Sequence, residues 1–187
     1  MPNHQMANRG KGLECLVEYQ NALYLQRGIA KIDQVDTKWI PERRGNAFIG
    51  AHPAKKSKLD FKGCLADGQS LTFDCKQSGN PPGLPLDNIA DHQIDEIRKS
   101  LRFHELAFLI CENTATGRLY LASGEYALEC WDAWKANPRK HGYRVIPWDC
   151  MIVIPETPRG PCDYLAAARI ELGGRQYDVV DTLGGGA

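Results

Sequence analysis

Asp60, Asp74 and Lys76 are the residues of this 187-residue chain whose types and order permit a defined chemistry. Two carboxylates offer hard oxygen ligands to Mg²⁺, which keeps several waters and shares its remaining positions with phosphate oxygens. Such a cation acidifies a bound water and offsets charge on a phosphate. A neighbouring lysine can position the nucleophile or stabilise the pentavalent transition state. The set therefore suits phosphodiester hydrolysis with Mg²⁺, or Mn²⁺ in its place. The same three letters on an exposed strand of alternating charge would carry no chemistry, so the elements that hold them decide the matter.

Residues 58–65 and 70–77 are expected strands, joined through Ala66-Asp67-Gly68-Gln69, where Asp-Gly is a hairpin signal. Side chains alternate along a strand, so Thr72, Asp74 and Lys76 share one face and Leu71, Phe73 and Cys75 the other. Packing Leu59 and Phe61 on the apolar side would bring Asp60 to the face of Asp74 and Lys76. Upstream, Leu13, Leu16, Val17, Leu23 and Tyr24 recur at helical spacing over 12–26, and Gly28 lies where that helix would end. Residues 29–35 alternate as a half-buried strand does. Residues 36–56, with Pro41, Gly45, Gly50 and Pro53, break the pattern and read as an excursion from the body.

Downstream, a Gly/Pro-rich loop over 78–85 leads to a helix capped by Asp87 or Asn88 and running to about Phe103. Ala90, Ile94, Ile97 and Leu101 form its apolar face, bordered by Gln93. Strands are expected over 105–112 and 118–122, a helix over about 125–135 and a strand over 143–148. Prolines 155, 158 and 161 predict an extended tail with a short helix at 163–170, and 171–187 are expected to be flexible. The expectation is one α/β domain over 1–187.

The chain has 23 basic and 23 acidic residues, and this zero balance argues against a protein that coats nucleic acid through bulk positive charge. The distribution is uneven, however. Lys38, Arg43, Arg44, Lys55, Lys56, Lys58 and Lys62 face only Glu42 and Asp60 over 38–62, a local surplus suited to phosphates. Seven scattered cysteines without a CxxC pair predict neither a disulfide framework nor a zinc site. With no leader-like or membrane-spanning stretch, the expectation is a soluble protein of a reducing cytoplasm, that of a host cell if the source is a phage.

Asn8-Arg9-Gly10-Lys11-Gly12-Leu13-Glu14 resembles the NRGK-x-LE motif of the RecU resolvases. Residues 57–63 are similar to that family's S-T-x-D-Y-x-G, 71–76 to its I-x-F-E-A-K and 85–93 to its P-L-x-N-I-x-x-H-Q; Cys162-Asp163-Tyr164-Leu165 looks like its late DYL segment. The resemblance implies a restriction-endonuclease-like PD-(D/E)xK core, with a central mixed sheet flanked by helices and a stalk at 36–56 that engages the centre of a four-way DNA junction. It implies a homodimer that resolves Holliday junctions in recombination and repair, alongside recombination proteins. By the same resemblance Asp60 and Asp74 bind metal, Lys76 acts on the nucleophile and Glu14 completes the acidic cluster. Arg9 and Lys11 contact phosphate, Gln93 supports the site and His92 is structural. The chain departs from the family text at Leu59, where a hydroxyl residue is usual, and at Asp74, where glutamate is. Two alternatives stay open: another PD-(D/E)xK nuclease acting on duplex, flap or single-stranded DNA, and a protein that binds junctions without cutting them.

Overall fold

The computed structural model describes residues 9–35, 39–53, 59–138 and 144–171. Helix α1 (Arg9–Gln26) ends before Gly28, whose φ of 64° is the left-handed position that a Cβ disfavours. Strand β1 (Ala30–Gln34) follows. The excursion contains a hairpin of its own, β2 (Trp39–Arg44) and β3 (Ala47–Pro53), in a two-stranded sheet separate from the main one. Strands β4 (Phe61–Leu65) and β5 (Ser70–Ser78) form the expected hairpin. Then come β6 (Gly83–Pro85), α2 (Asp91–Arg102), β7 (Leu106–Asn113), β8 (Arg118–Ser123) and α3 (Gly124–Ala136). The described chain closes with β9 (Val145–Pro147), β10 (Ile152–Val153) and α4 (Tyr164–Glu171).

The main sheet has the order β1-β4-β5-β7-β8-β10. Its neighbours are antiparallel except β5 and β7, a parallel pair that needs a crossover, supplied by α2. One face packs Leu71, Phe73, Phe108 and Ile110 against α1 and α4 through Leu13, Val17, Tyr24 and Tyr164. The other packs Ala107, Leu109 and Ala122 against α2 and α3 through Ile94, Ile97, Ala127 and Trp131. This is the mixed sheet between helical layers that the family resemblance implies. Cover on both faces explains why β7 reads as an almost unbroken apolar run. Across the first face Phe61, Phe73 and Phe108 stack with ring centroids 5.0 and 4.9 Å apart.

Three stretches differ from the sequence reading. Leu59 and Phe61 do not pack together: Leu59 joins the α2-side core and Phe61 the α1-side core, because the chain bends at Asp60 and enters the sheet only at Phe61. Asp87 and Asn88 do not cap α2. They lie in a 3₁₀ turn that buries Leu86, Asp87 pairs with Arg144 at 2.8 Å, and the helix starts after Ala90. The proline-rich stretch is not an extended tail: β10 adds to β8, Ile154 donates to Leu119 O at 2.9 Å, and α4 is buried against α1. The flexibility expected of 171–187 falls, beyond Glu171, outside the described residues.

A buried polar network fastens that last segment to α1. Asp163 accepts hydrogen bonds from the Tyr24 hydroxyl at 2.9 Å, Thr157 Oγ1 at 2.6 Å and Arg159 Nε at 2.7 Å. Gln20 donates to Arg159 O at 3.0 Å and accepts from Cys162 N at 3.2 Å, and the Tyr164 hydroxyl donates to Asn21. Burial alone would raise the Asp163 carboxyl, but the donors Thr157 and Tyr24 and the charge of Arg159 outweigh it and hold the group below its ordinary value.

Candidate active site

The pairing of β4 with β5 stops at Phe61 opposite Phe73, so from Asp74 onward β5 has, among the described residues, a strand neighbour on the β7 side alone. Asp60, at the bend, reaches into this gap, and its Oδ2 accepts the Cys75 N–H at 3.4 Å. A side-chain oxygen stands where a strand carbonyl would otherwise be. The meeting of Asp60 with β5 thus comes from a chain bend rather than from strand alternation.

Asp74 projects from β5 towards α2 and is 0% exposed. Its Oδ1 accepts a hydrogen bond from Gln93 Nε2 at 2.9 Å. Lys76 Nζ lies 2.6 Å from Oδ2, yet off the direction of a hydrogen bond, so this oxygen has a charge partner and no directed donor. The same ammonium donates to Gln93 Oε1 at 3.0 Å, closing a triangle of Asp74, Lys76 and Gln93. Gln93 is itself pinned, because Oε1 also accepts the N–H of Ala90 at 3.1 Å, half of a capping box at the start of α2. Burial raises the Asp74 carboxyl to about 7; Lys76 opposes the shift and the neighbouring Asp60 adds to it.

These residues fit a hard divalent cation. A buried carboxylate oxygen without a hydrogen-bond donor, beside a second carboxylate, has unspent acceptor capacity of the type such a cation takes. Among the described residues no three acidic, histidine or cysteine side chains gather at one point. Asp60 and Asp74 would therefore be the protein ligands, with water and phosphate oxygens completing the shell, an arrangement Mg²⁺ commonly uses.

Glu14 is placed differently. It comes from α1, on the opposite face of the sheet from Asp74, and its Oε2 accepts from Gln34 Nε2 at 3.3 Å. Burial pushes the Cys75 thiol up, and the charges of Asp60, Asp74 and Glu14 all add to that shift. The three carboxylates thus act on Cys75 from different sides without sharing one point. Of the basic residues, Arg43 and Arg44 are exposed beside the tip of the β2–β3 hairpin, next to the exposed Phe48 and Ile49. Lys62 is exposed and pairs with Glu105 at 3.4 Å. Lys38, Lys55, Lys56 and Lys58 lie outside the described residues, as do the side chains of Arg9 and Lys11, whose backbone forms the first turn of α1.

Periodicity places Gln93 at the border of a helix face and the family resemblance gives it a supporting role; in the structure it touches both Asp74 and Lys76. The available signal is its position three residues beyond the cap, where glutamine folds back onto the helix start. Gln77 donates to Glu112 across the β5–β7 pair, a partnership that follows only from the parallel register.

A family model described as Recombination protein U matches residues 8–168. The chain belongs to the RecU family. The match takes in Asp60, Asp74, Lys76 and Gln93 and continues into α4, so it includes both halves of the Asp163 network. A relative named Holliday junction resolvase RecU, from Oceanobacillus iheyensis, is 27% identical over 175 residues, covering 88% of this chain and 87% of its own. Another of that name, from Lactiplantibacillus plantarum, is 29% identical over 136 residues, covering 70% and 65%. The solved structure of Archaeoglobus fulgidus Hjc, a Holliday junction resolvase from an archaeal hyperthermophile, has a TM-score of 0.39 and 8% identity over 60% of this chain and 78% of that one. The side chain of Leu59 is 1% exposed and fills core beside Leu84 and Leu86.

Proposed function

We propose that this RecU-family chain is a structure-specific endodeoxyribonuclease that resolves Holliday junctions by metal-dependent phosphodiester hydrolysis, as a homodimer, in DNA recombination and repair. The observation that carries the reading is the buried Asp74, with one oxygen lacking a donor, set between Asp60 and Lys76 at the open edge of β5. A bound Mg²⁺ or Mn²⁺ would supply an activated water and charge neutralisation at the phosphate. Asp60 and Asp74 would hold it. Lys76, the cation already at the centre, would donate to the water or to a phosphate oxygen, while Gln93 fixes both partners. Glu14, on the far side of Cys75, would act on this centre through its charge.

The hairpin with Arg43 and Arg44 beside its tip would be the stalk of a single nuclease domain, flanked in sequence by Lys38, Lys55, Lys56 and Lys58. Arg9 and Lys11, in the first turn of α1, would meet phosphate nearer the cut. Two symmetric nicks need two such centres, hence the dimer. No helix of the described residues is long and apolar enough to cross a membrane, and a cytoplasmic site of action suits a nuclease of recombination.

The test incubates the protein and an Asp74→Asn variant with labelled four-way junction and matched linear duplex, in Mg²⁺ or EDTA. Paired nicks confined to the junction, and absent in EDTA and in the variant, are expected. Equal cutting of duplex would replace this reading with a general nuclease, and tight junction binding without cutting under any divalent metal would replace it with a binding protein.

A further inference from the structure

Gln93 can be oriented in one way alone. Both partners on its Oε1 side, the Lys76 ammonium and the Ala90 N–H, are donors, and the partner on its Nε2 side is a carboxylate. Its carbonyl is therefore aimed at the ammonium and held there by the start of α2. Lys76 thus has two holds: one on the neutral carbonyl of Gln93 at 3.0 Å and one on the ionisable Asp74 Oδ2 at 2.6 Å.

These two holds have different fates when a cation binds at the carboxylates. From their geometry we propose that Lys76 is a resident stand-in for the divalent cation at Asp74, and that Gln93 is the positioning residue that keeps the displaced ammonium beside the site. The inference rests on the metal-dependent reading above. Without metal, the ammonium lies 2.6 Å from Oδ2 of a carboxyl group that is fully buried beside another, and offsets its charge whenever that group is ionised. A divalent cation held by the two carboxylates would repel the ammonium and loosen its hold on Asp74. The Gln93 carbonyl carries no charge to be neutralised, so that hold survives. Lys76 then stays within reach of a phosphate bound at the cation instead of swinging to solvent, to which it is already 15% exposed.

The experiment follows the Lys76 ammonium by ¹⁵N-edited NMR in the full-length protein labelled at lysine Nζ, assigned through Lys76→Met, with and without Mg²⁺. An ammonium free in water exchanges its protons too quickly to give this signal; one held by fixed acceptors does not. The wild type is expected to show the signal in both states, shifted by Mg²⁺. Gln93→Met should show it without Mg²⁺ and lose it when Mg²⁺ is added. Gln93→Glu, which keeps an acceptor oxygen, should recover it.

An unshifted signal in the Mg²⁺-bound wild type would overturn the stand-in role. Loss of the wild-type signal on Mg²⁺ addition, or its retention in Mg²⁺-bound Gln93→Met, would overturn the tether. If circular dichroism shows Gln93→Met unfolded, Gln93→Ala takes its place with the same expectation. Junction cleavage persisting beside any overturning result would leave the nuclease reading intact and remove this inference alone.

Discussion

Asp74 and Asp163 are both buried aspartates, and their surroundings drive their carboxyls in opposite directions. For Asp74 burial dominates, so the folded chain retains near neutral pH a proton that the unfolded chain gives up near the ordinary aspartate value. The stability this proton confers is complete below about 4 and is lost as pH rises to about 7. Urea denaturation in EDTA across that range should show the decline, and Asp74→Asn should flatten it. A wild type with no slope between those values would rule the account out. Metal must displace the same proton, so Mg²⁺ affinity should rise with pH through about 7, measurable by calorimetry without DNA. Asp74→Asn and Lys76→Met should each lower junction cleavage by roughly two to three orders of magnitude, the usual loss when one group that stabilises transition-state charge is removed.

The elements that place these residues vary in how plainly the sequence announces them. β5 and α1 were legible from alternation and helical spacing, because each buries one consistent face. The β2–β3 hairpin was not: a register shift between Glu42 and Arg43 breaks its period, and Pro41 and Gly50 read as irregular chain. Asp87 misled as a cap because its carboxylate serves Arg144, while the helix is capped from within by Gln93. Asp60 reached its place for a reason alternation could not supply, the bend that sends Leu59 and Phe61 to opposite cores. The β1–β4 pairing that anchors this bend is tight at Gly63, where an added Cβ would meet backbone of Lys31 and come 2.7 Å from Ile32 Cα. Gly63→Ala should therefore cost on the order of 2 kcal/mol in chemical denaturation and cut cleavage with it. On the hairpin, replacing Arg43 and Arg44 with alanine should weaken junction binding, with melting temperature unchanged. The slope of log affinity against log salt should fall by about 1 for each phosphate that is no longer neutralised.

At the scale of the whole molecule, the sheet is finished from both ends of the described chain: α1 and α4 share one face, and the Asp163 network ties them. The lowered carboxyl of Asp163 gives stability that is full above the ordinary aspartate value and lost as pH falls from there through the lowered value of the folded chain, the opposite sign to Asp74. Asp163→Ala should destabilise by on the order of 3 kcal/mol, read as a lower urea midpoint, since it leaves Tyr24, Thr157 and Arg159 without their shared acceptor. The late DYL text was legible as a motif, but its work was not, because nothing local in 157–165 reveals a partner 139 to 143 positions earlier. That separation bears on how the chain is made. Gln20, Asn21 and Tyr24 leave the ribosome early, in a helix whose buried polar groups find no acceptors or donors until the segment around Asp163 has followed them out. A nascent chain stalled before Pro155 should remain open to protease along α1, and this helix is completed only once the segment around Asp163 has been made.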